Sequence, residues 1–196
     1  MDSMEKTKTE KGLNAKKSIY DTAIKLMNSQ GYENVSISDI CKSAGFSVGN
    51  FYYYYKSKVD ILVEYVHLHN EELLEYHNSL ANHIYIDRIK MLTLYAMEKK
   101  DQLGKDFVAK LFAIDFMDKN LLMLSSHVYF KIICELVEKA QENNEITKKL
   151  STKDISDLLI NNNYGLLASW LYTETRYSLK EAAEKNLDIL LGFLVV

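Results

Sequence analysis

The chain of 196 residues contains no proline. No helix interior is therefore interrupted by a missing amide donor, and turns must be made by other residues. Glycine is scarce at seven, and neither a phosphate-binding glycine loop nor a nucleophile elbow occurs. The two cysteines, Cys41 and Cys134, stand in apolar helical contexts. They read as buried free thiols of a reducing compartment, not as a disulfide framework. No apolar run approaches the roughly 20 residues that span a bilayer, and the N-terminal MDSMEKTKTEKG lacks the apolar centre of a signal peptide. A cytoplasmic protein without membrane contact is expected. No His-Glu-x-x-His motif occurs, nor the pair of Glu-x-x-His motifs that a di-iron bundle needs. His67 and His69, two residues apart, fall on different faces of a helix. No metal or cofactor is expected, and no enzyme chemistry is visible.

What remains is a helical globule. Of the residues, 47% are hydrophobic and 26% charged, as in an ordinary folded domain. The net charge of −3 is unevenly spread. Residues 1–66 carry nine lysines against eight carboxylates, and residues 67–196 carry fifteen bases against nineteen acids. Any affinity for nucleic acid must come from locally placed lysines.

The chain is organised around residues 35–62, VSISDICKSAGFSVGNFYYYYKSKVDIL. Ser36 with Asp39 forms a capping box that predicts a helix from Ile37. Ile37, Ile40, Cys41 and Ala44 share one face of it, and Gly45 ends it by taking a positive φ. Ser47 caps a second short helix through the tyrosines. Two short helices across a tight turn make a helix-turn-helix, whose second helix is shaped for a major groove. Helical geometry turns Phe46, Phe51 and Tyr55 inward and Val48, Gly49, Asn50, Tyr52 and Tyr53 outward. Asn50 is the outward side chain suited to a bidentate contact with adenine. No arginine precedes Arg88, so bidentate reading of guanine is not available to this helix, and DNA shape should share the readout.

These residues resemble the N-terminal domain of the tetracycline-repressor (TetR/AcrR) family of transcriptional regulators. The resemblance rests on Ile40, on Ala44-Gly45-Phe46-Ser47, on Phe51 with the tyrosines Tyr52 to Tyr55, on Lys56-Ser57-Lys58 and on Ile61-Leu62. Asn14 to Gly31 resembles the family's first helix. Tyr55 departs from the family's usual Phe. The resemblance implies that Tyr52 and Lys58 touch phosphate and that Tyr53 lies close to base or backbone; Ser47, Val48, Gly49 and Asn50 join them as candidate DNA-contact residues. It also implies a helix from Lys58 that connects to a C-terminal domain which binds a small molecule and dimerises through its last two helices. The organisation expected is a basic tail (1–12), a helix-turn-helix domain (13–57) and a ligand-binding and dimerisation domain (58–196). The fold class is all-α.

Beyond Leu80, helices are expected over residues 83–101, 103–117, 121–143, 151–173 and from Ser178 to the end. Val108, Leu111 and Phe112 form a stripe on which Asp115 also falls. A paired or end-exposed carboxylate is the plainer reading of Asp115. A counter-charge for a cationic ligand, walled by Phe112, Phe116 and Met117, is the sharper one. Tyr129 reads as core and doubles as a candidate pocket residue. In the helix opened by Ser151 and Asp154, the stripe Ile155, Leu158, Leu159, Leu166 and Trp170 is interrupted by Asn162. That residue either lines a cavity with Trp170 or sets the register of a dimer seam. Leu166, with Leu179, Ala183, Leu187, Leu190 and Leu194 of the last helix, is the candidate dimer surface.

The function that this reading supports is a homodimeric repressor on a pseudo-palindromic operator, released by an unknown small-molecule effector. A helical adaptor with a relic helix-turn-helix, or an activator of the same type, are the alternatives.

Overall fold

The structure is a computed structural model that describes the backbone of residues 2–117, 119–174 and 177–196, and the side chains outside residues 1–11, 114–127 and 175–176. Nine helices occur among the described residues: α1 (Asp2–Gln30), α2 (Ile37–Ala44), α3 (Val48–Tyr54), α4 (Lys58–Ser79), α5 (Tyr85–Leu103), α6 (Lys105–Met117), α7 (Lys119–Glu142), α8 (Thr152–Tyr172) and α9 (Leu179–Leu194). They divide into two compact units, Met1–Tyr65 and Val66–Val196, with the division inside α4.

In the first unit the local signals act as written. The Ser36 hydroxyl accepts from the Asp39 amide at 3.1 Å, and the Asp39 carboxylate accepts from the Ser36 amide at 3.0 Å. Donation to that carboxylate from the Ser36 hydroxyl, and next from the Ser36 amide, holds the Asp39 carboxyl below its usual range. Gly45 closes α2 at φ 75°. Ile19, Ala23 and Met27 of α1 are buried at a spacing of four, together with Ile40, Cys41, Phe51, Tyr55, Ile61 and Leu62. Two expectations change. Helix α1 starts at Asp2, within the expected tail, and not near Asn14, because without proline the one glycine upstream is Gly12, and a glycine costs a helix only about 1 kcal/mol. Phe46 is half-buried where full burial was expected.

The second unit packs α5, α7, α8 and α9 around Leu92, Ile133, Leu136, Ile155 and Leu187. Its connections are fixed by buried polar groups. The Gln141 amide donates to the carbonyls of Thr147 and Leu150, each at 2.9 Å, and accepts from the Thr152 hydroxyl at 2.7 Å, which shapes the α7–α8 loop. Asp101 of α5 accepts from the Ser178 hydroxyl and from the amides of Leu179 and Lys180, all at 2.9 Å. It thus satisfies otherwise orphaned donors at the start of α9. An antiparallel bridge between Ile146 and Val195 ties down the far end of α9.

The dimer-surface expectation is corrected for four of its six residues. Leu179, Ala183, Leu187 and Leu194 are buried in the unit's own core, and Leu166 and Leu190 are half-buried. A single stripe on a terminal helix is claimed first by the chain that carries it. The outward faces hold other residues: Leu158 and Tyr172 on α8, and Ile189, Phe193 and Val196 at the end of the chain.

Candidate nucleic-acid interface and effector region

Helix α3 is one of the two short helices in the first unit, and its orientation follows from two rings. Phe51 is wholly buried and Tyr55, one turn on, nearly so, with ring centroids 5.6 Å apart. Burial pushes the Tyr55 phenol up, with the nearby Glu64 carboxylate adding to the shift. With those two side chains inside, Val48, Gly49, Asn50, Tyr52 and Tyr53 are all exposed, as the spacing predicted, and so is the cap Ser47. Tyr53 is 81% exposed. Its one ring contact is edge-on to Tyr54, with centroids 4.9 Å apart, among the described residues.

Asn50 has a second engagement that its position hid. Its amide oxygen accepts from the Ser47 hydroxyl at 2.6 Å and from the Ser47 amide at 3.3 Å, while the Ser47 hydroxyl accepts from the Asn50 amide N–H at 3.2 Å. This is a capping box with Asn in the place more often held by Glu or Gln. A bidentate contact to adenine requires that same oxygen as acceptor. In this conformation the side-chain NH₂ of Asn50 is the group left to face outward.

Lys58 is placed differently from its expected phosphate contact. Its ammonium donates to the carbonyls of Tyr32 and Val35, at 2.8 and 2.6 Å, and lies over the Tyr32 ring. The reason is local: the loop between α1 and α2 leaves carbonyls that need donors. Lys56 and Lys42 remain exposed. At the start of α4 the Asp60 carboxylate accepts from the amides of Lys56 and Ser57, at 2.5 and 3.3 Å.

The effector-region residues are brought together only in part. Asp115, Phe116 and Met117 have side chains outside those described. The Phe112 ring lies 6.4 Å from that of Tyr164. The Tyr129 hydroxyl is 2.6 Å from the Thr93 hydroxyl and accepts from the Asn163 amide at 2.9 Å. Trp170 belongs to a separate group: it is buried, donates to the Tyr177 carbonyl at 3.1 Å and has the Lys105 ammonium over its ring. Asn162 is only half-buried, whereas Asn163 is 6% exposed. The α8 stripe is thus rotated by one residue from the expected one. The run Ile155, Leu159, Asn163, Leu167 at a constant spacing of four was the signal that Leu158 and Leu166 obscured. Thr93 carried no signal, because a threonine inside an apolar stripe looks like filler.

Residues 19–65 match the sequence model described as bacterial regulatory proteins, tetR family. The HTH-type transcriptional regulator AcrR of Shigella flexneri is 24% identical over 188 residues, which cover 88% of this chain and 86% of that one. Among solved structures, Thermus thermophilus FadR, described as a TetR-family transcriptional repressor in complex with lauroyl-CoA, superposes with a TM-score of 0.68 at 21% identity, covering 92% of this chain and 95% of that one. A Saccharomonospora viridis protein, described as a transcriptional regulator in complex with choline, gives 0.76 at 18% identity over 93% and 98% of the two chains. The matched segment is the unit that carries the exposed tyrosine face, and the likeness in fold extends through both units. Residues 19–65 thus carry the tetR-family sequence pattern, and the chain as a whole is similar in fold to regulators of the TetR/AcrR type.

Proposed function

We propose that the protein is a cytoplasmic, homodimeric repressor that binds a pseudo-palindromic operator through α3 and leaves it when a small molecule occupies the second unit. The observation that carries this reading is the division of α3 itself. Phe51 is buried to completion, while Tyr52 and Tyr53 beside it are held in solvent. Apart from edge-on contacts to Phe51 and Tyr54 the two rings stand open, and tyrosine is well suited to a phosphate and a base edge at once. Lys42 and Lys56 supply the charge. Two copies of α3 would enter successive major grooves, roughly 34–36 Å apart.

The pairing surface proposed is the outward side of α8 and α9. Leu158, Tyr172, Ile189 and Phe193 are exposed there. A Cβ added to Gly165 or Gly192 would meet nothing within 4 Å, so a second copy can approach both helices closely. Effector control is supported by the relatives, one bound to lauroyl-CoA and another to choline. A ligand that prefers the DNA-incompetent conformer a hundredfold shifts the balance by about 2.7 kcal/mol.

The test is selection of bound sequences from a random DNA pool, followed by titration of the enriched duplex. An inverted repeat bound by two protomers is the expected result. A pool that stays unenriched would favour the adaptor reading and sink this one.

A further inference from the structure

The polar node of the second unit fixes what an effector must bring, on the reading above that this unit binds one. The Thr93 hydroxyl lies 2.9 Å from the Ile89 carbonyl. Two oxygens at that distance need a proton between them, and only Thr93 can provide it. The Thr93 proton being so placed, the 2.6 Å contact to Tyr129 must be a donation from the Tyr129 phenol. Burial pushes that phenol up, so it keeps its proton. With its one proton given to Thr93, Tyr129 can only accept from Asn163. The group of Asn163 that faces it is therefore the NH₂, and the amide cannot be turned around. Asn163 Oδ1 then points away from the chain of hydrogen bonds, buried, with no donor of the protein in reach. Ser156 Oγ, two turns earlier on the same buried stripe, and Asn162 Oδ1 also find no partner. Asn163 Oδ1 and Ser156 Oγ share one buried face of α8, with Asn162 a helical step off it, so that face carries two polar atoms that a bound molecule could satisfy.

We propose that Asn163 Oδ1 is the recognition acceptor of the effector site, and that the effector is an uncharged molecule with a hydroxyl or N–H donor on an apolar body. Thr93, Tyr129, Asn163 and Ser156 are all neutral, so an ion set against them would lose its hydration to dipoles alone. A donor matched to a buried acceptor discriminates strongly, because the analogue without it leaves the acceptor bare.

The experiment is calorimetry on the full chain without DNA, using 4-ethylphenol, its methyl ether 4-ethylanisole, and the cation phenethylammonium. The phenol should bind at least about tenfold more tightly than the ether. Asn163→Leu should erase that preference. Tyr129→Phe frees the amide to rotate, so the ether should recover affinity and the preference should narrow; this variant carries the test if Asn163→Leu fails to fold. Equal affinity for phenol and ether, tighter binding of the cation, or binding of none of the three overturns the proposal. Donor-selective binding that leaves operator affinity untouched would instead overturn release by an effector, with the site intact.

Discussion

The ammonium of Lys58 sits 4.3 Å from the centroid of the Tyr32 ring and holds the carbonyls of Tyr32 and Val35. A residue whose place in the sequence suggests a DNA contact is thus a clamp on the α1–α2 loop. Two charge-assisted bonds of this kind contribute on the order of 1–3 kcal/mol. Lys58→Met, which keeps the stem, should lower the thermal midpoint of the protein, with operator affinity falling in step with the folded fraction. Lys56→Ala should leave the melt unchanged and reduce the salt dependence of operator binding by about one unit of slope. Operator binding lost from Lys58→Met at an unaltered melt would return Lys58 to the phosphate.

The double engagement of Asn50 separates folding from reading. Asn50→Asp keeps an acceptor for Ser47 and suits the positive end of α3, so its stability should match the parent. The added negative charge toward phosphate should nevertheless weaken operator binding by more than about tenfold. Asn50→Ala should cost about 1 kcal/mol of stability through the lost cap. Tyr53→Ala should leave urea denaturation unchanged while affinity measured by fluorescence anisotropy drops. A Tyr53→Ala protein with full affinity would remove the tyrosine face from the interface.

Within α9, burial predicts opposite outcomes for neighbouring apolar residues. Phe193 is 80% exposed and Leu187 only 1%. Phe193→Asp should yield a folded monomer by light scattering, with operator affinity lost because the paired half-sites are no longer held together. Leu187→Asp places a charge in the core and should abolish folding altogether. A folded, dimeric Phe193→Asp protein would move the pairing surface elsewhere.

Acid should weaken the second unit before its carboxylates titrate. Burial, and next the Lys100 charge, lower His69 from 6.5 to about 4. His77 is lowered as well, by burial and then by Arg88. A histidine depressed in the folded state is neutral there while the unfolded chain takes up a proton. Stability is therefore full above about pH 6.5 and declines as pH falls toward 4, at up to about 1.4 kcal/mol per pH unit for each group. Urea midpoints at pH 7.5, 6 and 5 should show this slope, and His69→Gln should flatten it. A slope that survives the substitution would assign it to His77 or other groups.

What was legible in the sequence were features decided within one turn of chain. The capping box at Ser36 and Asp39, the left-handed Gly45 and the inward Phe51–Tyr55 pair each depend on residues three or four apart, and each appears as read. Partners distant in sequence were not legible. Nothing near Lys58 names the Tyr32 carbonyl, and nothing near Asp101 names Ser178. The stripe Leu179, Ala183, Leu187, Leu194 was recognisably apolar, but periodicity cannot say whether an apolar face meets its own chain or a second one. The Asn162–Asn163 ambiguity has the same origin: adjacent polar residues differ by one helical step, and only packing against α7 selects between them.

Asp101 has a consequence for how the molecule is made. The first turn of α9 has its own Ser178 cap, but its Leu179 and Lys180 amides are satisfied by a carboxylate 78 and 79 residues upstream, so that turn is completed only once α5 is in position. The final helix should thus close the second unit late, as a keystone set into a finished arch. Fragments that stop short of it would leave Asp101 facing water and the greasy seat of Leu187 uncovered, which favours clumping over a tidy, smaller fold.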